Sequence, residues 1–195
     1  MVITTQQIKE LREKTGAGVA DVKKALEENE GNMERAFKWI EERLGSLATK
    51  RAGRDTAAGL VESYIHSNHR VGAMVELFCE TDFVSRSSSF KELAHDLAMQ
   101  IAAMRPIYLS LDTVPQDLWQ AEKGRLKEEV KGLNKPGHII EEITEGKLKA
   151  HFAPLSLLEQ PFVKDQGKTV GAVVKEAAGK FGENIKIGKF VRFEV

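Results

Sequence analysis

The chain has 195 residues, with 29 lysines and arginines against 29 aspartates and glutamates, and is 42% hydrophobic and 7% aromatic. This ordinary globular composition excludes collagen-like, low-complexity and wholly disordered architectures, and the length suits one large domain or a medium domain with a small companion. A formal net charge of zero provides no broad positive field for phosphate backbones or anionic lipid, so direct nucleic-acid binding is not expected without a local patch.

The first residues, Met1 to Gln7, lack a basic run followed by an apolar stretch, and no segment approaches the roughly 18 apolar residues of a membrane span. A cytoplasmic protein with no membrane partner is predicted. Cys79, the single cysteine, cannot form an intrachain disulfide and is too few for a thiolate zinc site, so no metal or cofactor is expected.

Thr4 or Thr5 can cap a first short helix whose Ile8 and Leu11 share a face and which Thr15-Gly16-Ala17-Gly18 breaks. A second helix carries Val19, Val22, Ala25 and Leu26 and ends at Asn29-Glu30-Gly31-Asn32. Asn32 caps a third, with Met33, Ala36, Phe37, Ile40 and Leu44 at three- and four-residue steps and Gly45 as its C-cap. Residues 1–45 thus read as a three-helix bundle, marginal alone at this size, and 46–58 as a linker of small and basic residues without clear turn signals, open to helix.

From residue 59 the period changes to two. Leu60, Glu62 and Tyr64 alternate with Val61, Ser63 and Ile65, and after Ser67-Asn68-His69-Arg70 come Val71, Ala73, Val75, Leu77 and Cys79: a β-hairpin over 59–79. Ser89 and Glu92 form a capping-box pattern before Phe90, Leu93, Ala94, Leu97, Ala98 and Ile101, and Pro106 ends that helix. A further helix is expected over 115–131 with Leu118, Ala121, Leu126 and Val130 inward, and another, after the turn Asn134-Lys135-Pro136-Gly137, around Ile139, Ile140, Ile143 and Leu148. Pro154 and Pro161 then interrupt the chain, and Thr169 caps a helix with Val170, Val173, Val174 and Ala177. The last run, 184–195, puts Ile185, Ile187, Val191, Phe193 and Val195 on one face of a strand that can join the hairpin. The fold class is α+β: a three-helix bundle, then a core domain over 59–195 with a small three-stranded antiparallel sheet and packed helices.

Signals for covalent or metal chemistry are weak. Gln166-Gly167-Lys168-Thr169 resembles the tail of a phosphate-binding loop, but Phe162 stands where that motif needs glycine and no strand precedes it, which favours a turn into a helix. His66 and His69 lack a third ligand at a fixed offset and read as exposed turn residues. Cys79 near His66, His69 and Asp82 invites a thiol-nucleophile reading, yet it continues the apolar period of its strand and reads better as a small buried residue. Lys50, Arg51 and Arg54 contain no aromatic for base stacking and read as a solvated face.

Directly after the second strand comes Cys79-Glu80-Thr81-Asp82-Phe83-Val84-Ser85, an aromatic beside a carboxylate at a strand end. Either Phe83 and Val84 tuck under the next helix while Asp82 caps a turn, or they form a wedge presented to a partner. Together with Leu11-Arg12-Glu13-Lys14-Thr15-Gly16-Ala17-Gly18, followed by Asp21 and Lys23-Lys24-Ala25-Leu26, and with Leu157-Leu158-Glu159-Gln160-Pro161-Phe162-Val163-Lys164-Asp165, this segment resembles bacterial elongation factor Ts, in its short form.

The resemblance implies that the bundle is of the ubiquitin-associated type. It implies a guanine nucleotide exchange factor, acting without covalent chemistry, whose partner is elongation factor Tu. Thr81, Asp82, Phe83 and Val84 would enter that partner's nucleotide domain and dislocate its magnesium, while Arg12, Val19 and Ala20 grip another face of the same domain. Val19-Ala20 departs from the methionine-rich pair usual in the family. A homodimer and a heterotetramer with elongation factor Tu both remain open. The competing readings are a plain interaction module, which would bind without accelerating nucleotide release, and an enzyme using Cys79.

Overall fold

A computed structural model describes residues 3–133 and 135–195; Met1, Val2 and Asn134 of the expected turn lie outside the described residues. The element order is α1 (Thr5–Thr15), α2 (Val19–Glu28), α3 (Met33–Arg51), β1 (Ala58–Ile65), β2 (Val71–Cys79), α4 (Asp82–Ser85), α5 (Ser88–Met104), α6 (Gln116–Val130), α7 (Gly137–Phe152), β3 (Pro161–Phe162), β4 (Asp165–Thr169), α8 (Val170–Phe181) and β5 (Lys186–Glu194), with short 3-10 turns between. The fold is α+β, with a three-stranded antiparallel sheet in the order β1-β2-β5 and a separate β3-β4 ladder. The chain divides into two compact units, one of Met1–Val61, Glu76–Ala94 and Val173–Gly188, the other of Glu62–Val75, His95–Ala172 and Lys189–Val195.

In the first unit, Thr4 caps α1 through a box with Gln7, and Gly16, at φ 66°, closes it with its N–H on Arg12 O. Asn32 caps α3 by accepting from Arg35 N at 3.0 Å. Helices α1 to α3 enclose their own small core of Leu11, Ala17, Val22, Ala25, Leu26, Ala36, Ile40 and Leu44. Gly45 does not end α3, which runs on to Arg51. A C-cap glycine needs a left-handed backbone to stop a helix, and here the buried stripe continues through Ala48 and stabilises the extra turns. Gly179 of α8 lies so close to α3 that a Cβ there would sit 2.7 Å from the Leu44 Cβ.

The hairpin begins at Ala58, one residue before the expected start, and ends at Cys79; β2 has the expected inward face, with Ala73, Val75, Leu77 and Cys79 buried. The inward face of α5 is likewise as read, with Phe90, Leu93, Ala94, Leu97, Ala98 and Ile101 buried. Its cap is Ser87 rather than Ser89: the Ser87 hydroxyl accepts from Phe90 N at 3.3 Å and its carbonyl from Lys91 N.

In the second unit, the phase of α6 differs from expectation. Leu118 and Ala121 are exposed, and Trp119 faces inward instead, stacked on Phe152 of α7 at 5.3 Å with Leu126 and Leu148 in the same cluster. The larger indole outweighs the leucine for the buried stripe.

Strand β5 also departs from a single apolar face. Ile185 and Ile187 are buried, but Val191, Phe193 and Val195 are exposed, while Phe190 and Arg192 are half-buried and Arg192 Nε donates to Ala102 O at 2.9 Å. The inward parity therefore changes along the strand, which a strict two-residue period cannot foresee. The ladder β3-β4 was not anticipated; it places Gly167-Lys168-Thr169 in a short strand, and Thr169 then caps α8 by accepting from Ala172 N at 3.2 Å.

Candidate functional site

The segment after β2 folds into a capped four-residue helix. Thr81, in extended conformation, accepts from Val84 N through its hydroxyl at 3.4 Å, which starts α4 at Asp82. Helical spacing then sorts the side chains: Val84 and Ser85 are buried, whereas Phe83 is 84% exposed. Asp82 is also exposed and pairs with Arg86 at 2.8 Å. Neither sequence alternative holds whole: Val84 is tucked in, as the first has it, while Phe83 stands exposed to solvent.

The turn is held from below by residues distant in sequence. The Glu183 carboxylate accepts from Glu80 N and Thr81 N, each at 3.0 Å, and from Thr81 Oγ1 at 2.5 Å. Reciprocally, the Glu80 carboxylate accepts from Asn184 N at 2.6 Å and pairs with Arg54 at 3.4 Å. Asn184 in turn donates from Nδ2 to Ala52 O and Arg54 O at 3.1 and 2.7 Å. The basic stretch read as a solvated linker face is thus partly tied into this anchor. Gly182, at φ 73°, turns the chain out of α8 and places Glu183 and Asn184. Sequence reasoning missed both, because their partners lie about a hundred residues away; the only local trace is a helix-ending glycine followed by two polar residues.

Cys79 lies at the foot of the same turn, buried, with its thiol donating to Thr81 O at 3.1 Å. Burial, reinforced by the negative charge of Glu183, pushes its pKa above the usual thiol range. An activated nucleophile needs the opposite shift, so the structural role is the one its surroundings support.

Arg12, Val19 and Ala20 lie on the first unit too, at the end of α1 and the start of α2, and all three are exposed. The third motif behaves differently. Gln160 is fully buried, with Nε2 donating to Met104 O and Pro154 O at 3.1 and 2.8 Å, and its Oε1 accepting from Gln100 Nε2 at 3.1 Å. Gln100 Oε1 closes the network by accepting from Val163 N at 2.8 Å. This pair satisfies backbone groups around the 3-10 turns and the β3 ladder, a structural task. His66 is engaged by the Tyr64 hydroxyl at 3.0 Å, and His69, at φ 57°, forms the hairpin turn.

A sequence profile described as Elongation factor TS matches residues 2–195. Curated proteins named Elongation factor Ts are similar over the whole chain: one from Thermodesulfovibrio yellowstonii is 46% identical, with 97% of its own length covered, and one from Carboxydothermus hydrogenoformans is 45% identical, with 89% covered. A third, from Thermosipho melanesiensis, is 45% identical with 99% covered. These matches place the molecule among the translation elongation factors. Within that class, the chain belongs to the elongation factor Ts family.

Proposed function

We propose that this protein is a guanine nucleotide exchange factor that binds GDP-loaded elongation factor Tu, works in the cytoplasm and performs no covalent chemistry. The observation that carries the reading is Phe83, a large apolar side chain left 84% exposed on a turn whose base is fastened by Glu183. Burying a phenylalanine is worth about 1.5–3 kcal/mol, and a wedge that is already ordered loses little conformational entropy on insertion.

In this reading Phe83 enters an apolar pocket of the partner's nucleotide domain. Asp82 exchanges its surface pair with Arg86 for contacts near the partner's magnesium; an exposed pair of that kind is weak and yields readily. Thr81 and Val84 hold the turn in shape. Magnesium bridges protein and phosphates, so its dislocation weakens GDP binding. Linkage completes the cycle: a factor that binds the nucleotide-free partner more tightly than the GDP-bound form lowers GDP affinity by the same factor. Arg12, Val19 and Ala20 of the three-helix bundle grip a second face of the partner.

The test is release of a fluorescent GDP analogue from elongation factor Tu at fixed magnesium with catalytic amounts of this protein. Phe83→Ala should melt at the wild-type temperature, because the side chain is exposed. Loss of about 2 kcal/mol should cut stimulated release about thirtyfold. Wild-type stimulation by the folded variant would remove the wedge role.

A further inference from the structure

The second unit contains a cavity of about 510 Å³ whose lining includes Tyr64, Met99, Ala102, Arg105, Lys164 and Arg192. That volume suits a small organic ligand. We propose that it binds a singly charged anion with a flat apolar body, of the aromatic carboxylate class. This goes beyond the exchange reading and does not depend on it.

Three observations support the assignment. The floor is apolar, from Met99, Ala102 and Val163, and one wall is the Tyr64 ring, held edge-on to His95 at 5.7 Å and by its hydroxyl on His66 at 3.0 Å. A fixed aromatic wall favours a flat partner. Next, three cations and no carboxylate line the cavity, in a chain whose formal charge is zero. Arg192 is the best ordered of them, only 15% exposed, with Nε on Ala102 O and Nη1 on Glu194 at 2.7 Å. Arg105 occupies the left-handed position that ends α5, at φ 51°, where glycine would be unstrained. A strained arginine there places a guanidinium where a glycine would place nothing.

The charge balance decides the class. Glu194 pairs with both arginines and Asp96 with Lys164, at 2.7 Å in each case. Arg192, by its hydrogen bond, together with the charges of Arg105 and Arg70, holds Glu194 below the ordinary carboxylate range, so it stays ionised. The three cations that line the cavity, set against their two paired carboxylates, leave a single positive charge at the cavity wall, which one carboxylate neutralises and a nucleoside di- or triphosphate would overfill. Guanidinium groups retain donors beyond those pairs, since each carries several in a planar fork.

The experiment is a heteronuclear NMR titration of the whole chain with 3-phenylpropionate, with its neutral amide and with inorganic phosphate. The carboxylate should shift the amides of residues 64–71, 99–105 and 163–164 with a single saturating curve. Arg105→Gln combined with Lys164→Gln, both exposed and expected to fold, should weaken it about tenfold or more. Ala103→Leu should abolish binding by extending a larger side chain into the cavity that Ala103 lines. Equal binding of the amide, tighter binding of phosphate, or full affinity in either variant would overturn the proposal.

Discussion

Replacing Glu183 with alanine removes the group that holds the exposed turn from beneath. The carboxylate receives three hydrogen bonds, from Glu80 N and Thr81 N at 3.0 Å and Thr81 Oγ1 at 2.5 Å. Bonds to a charged acceptor are each worth about 1.5–3 kcal/mol when shielded. Thr81 is exposed, however, so water can replace part of that, and a net cost of about 2 kcal/mol is expected. For a chain of this length that corresponds to a melting-point drop of about 4–8 °C. The larger effect should fall on function: the main core is untouched, but Phe83 must then be ordered at the moment of insertion. Calorimetry and the GDP-release assay together test this, with Glu183→Gln, which keeps an acceptor oxygen but loses the charge, falling between alanine and wild type. A Glu183→Ala protein that melts with wild type and stimulates release fully would refute the anchoring role.

Other outcomes follow from particular contacts. Gln100→Leu should destabilise by about 3 kcal/mol in chemical denaturation, because it leaves Val163 N, Pro161 O and Gln160 Oε1 without the bonds Gln100 makes to them. In the α6-α7 pair, Lys147 and Arg125 hold the Glu129 carboxyl below its ordinary value. A depressed carboxylate contributes stability above its unfolded pKa and loses it as pH falls through the folded one. Lys147→Gln should therefore lower the melting temperature at pH 7 but not at pH 3. Cys79 in the native protein should react with Ellman's reagent at pH 8 about tenfold or more slowly than after unfolding, and Cys79→Ala should retain exchange activity, since burial keeps the thiol protonated.

Local chemistry makes much of this molecule readable from its sequence. The caps at Thr4, Asn32 and Thr169, the glycine break at Gly16, the hairpin and the inward faces of β2 and α5 all depend on neighbours within a few residues. The presence of Thr81-Asp82-Phe83-Val84 at a strand end was equally plain. Which way Phe83 points was not, because a four-residue helix can bury either side and the choice was made by Glu183 and Asn184, brought from about a hundred residues downstream. The same reason explains the other departures. Gly45 would end an isolated helix, yet the α3 stripe buried through Ala48 carries it on; Leu118 matches the helical period, yet the indole of Trp119 finds Phe152; and β5 changes its inward parity as Arg192 reaches the Ala102 carbonyl. Local propensities differ by tenths of a kcal/mol to about one, while the burial and hydrogen bonds that only the tertiary structure supplies are worth several times that.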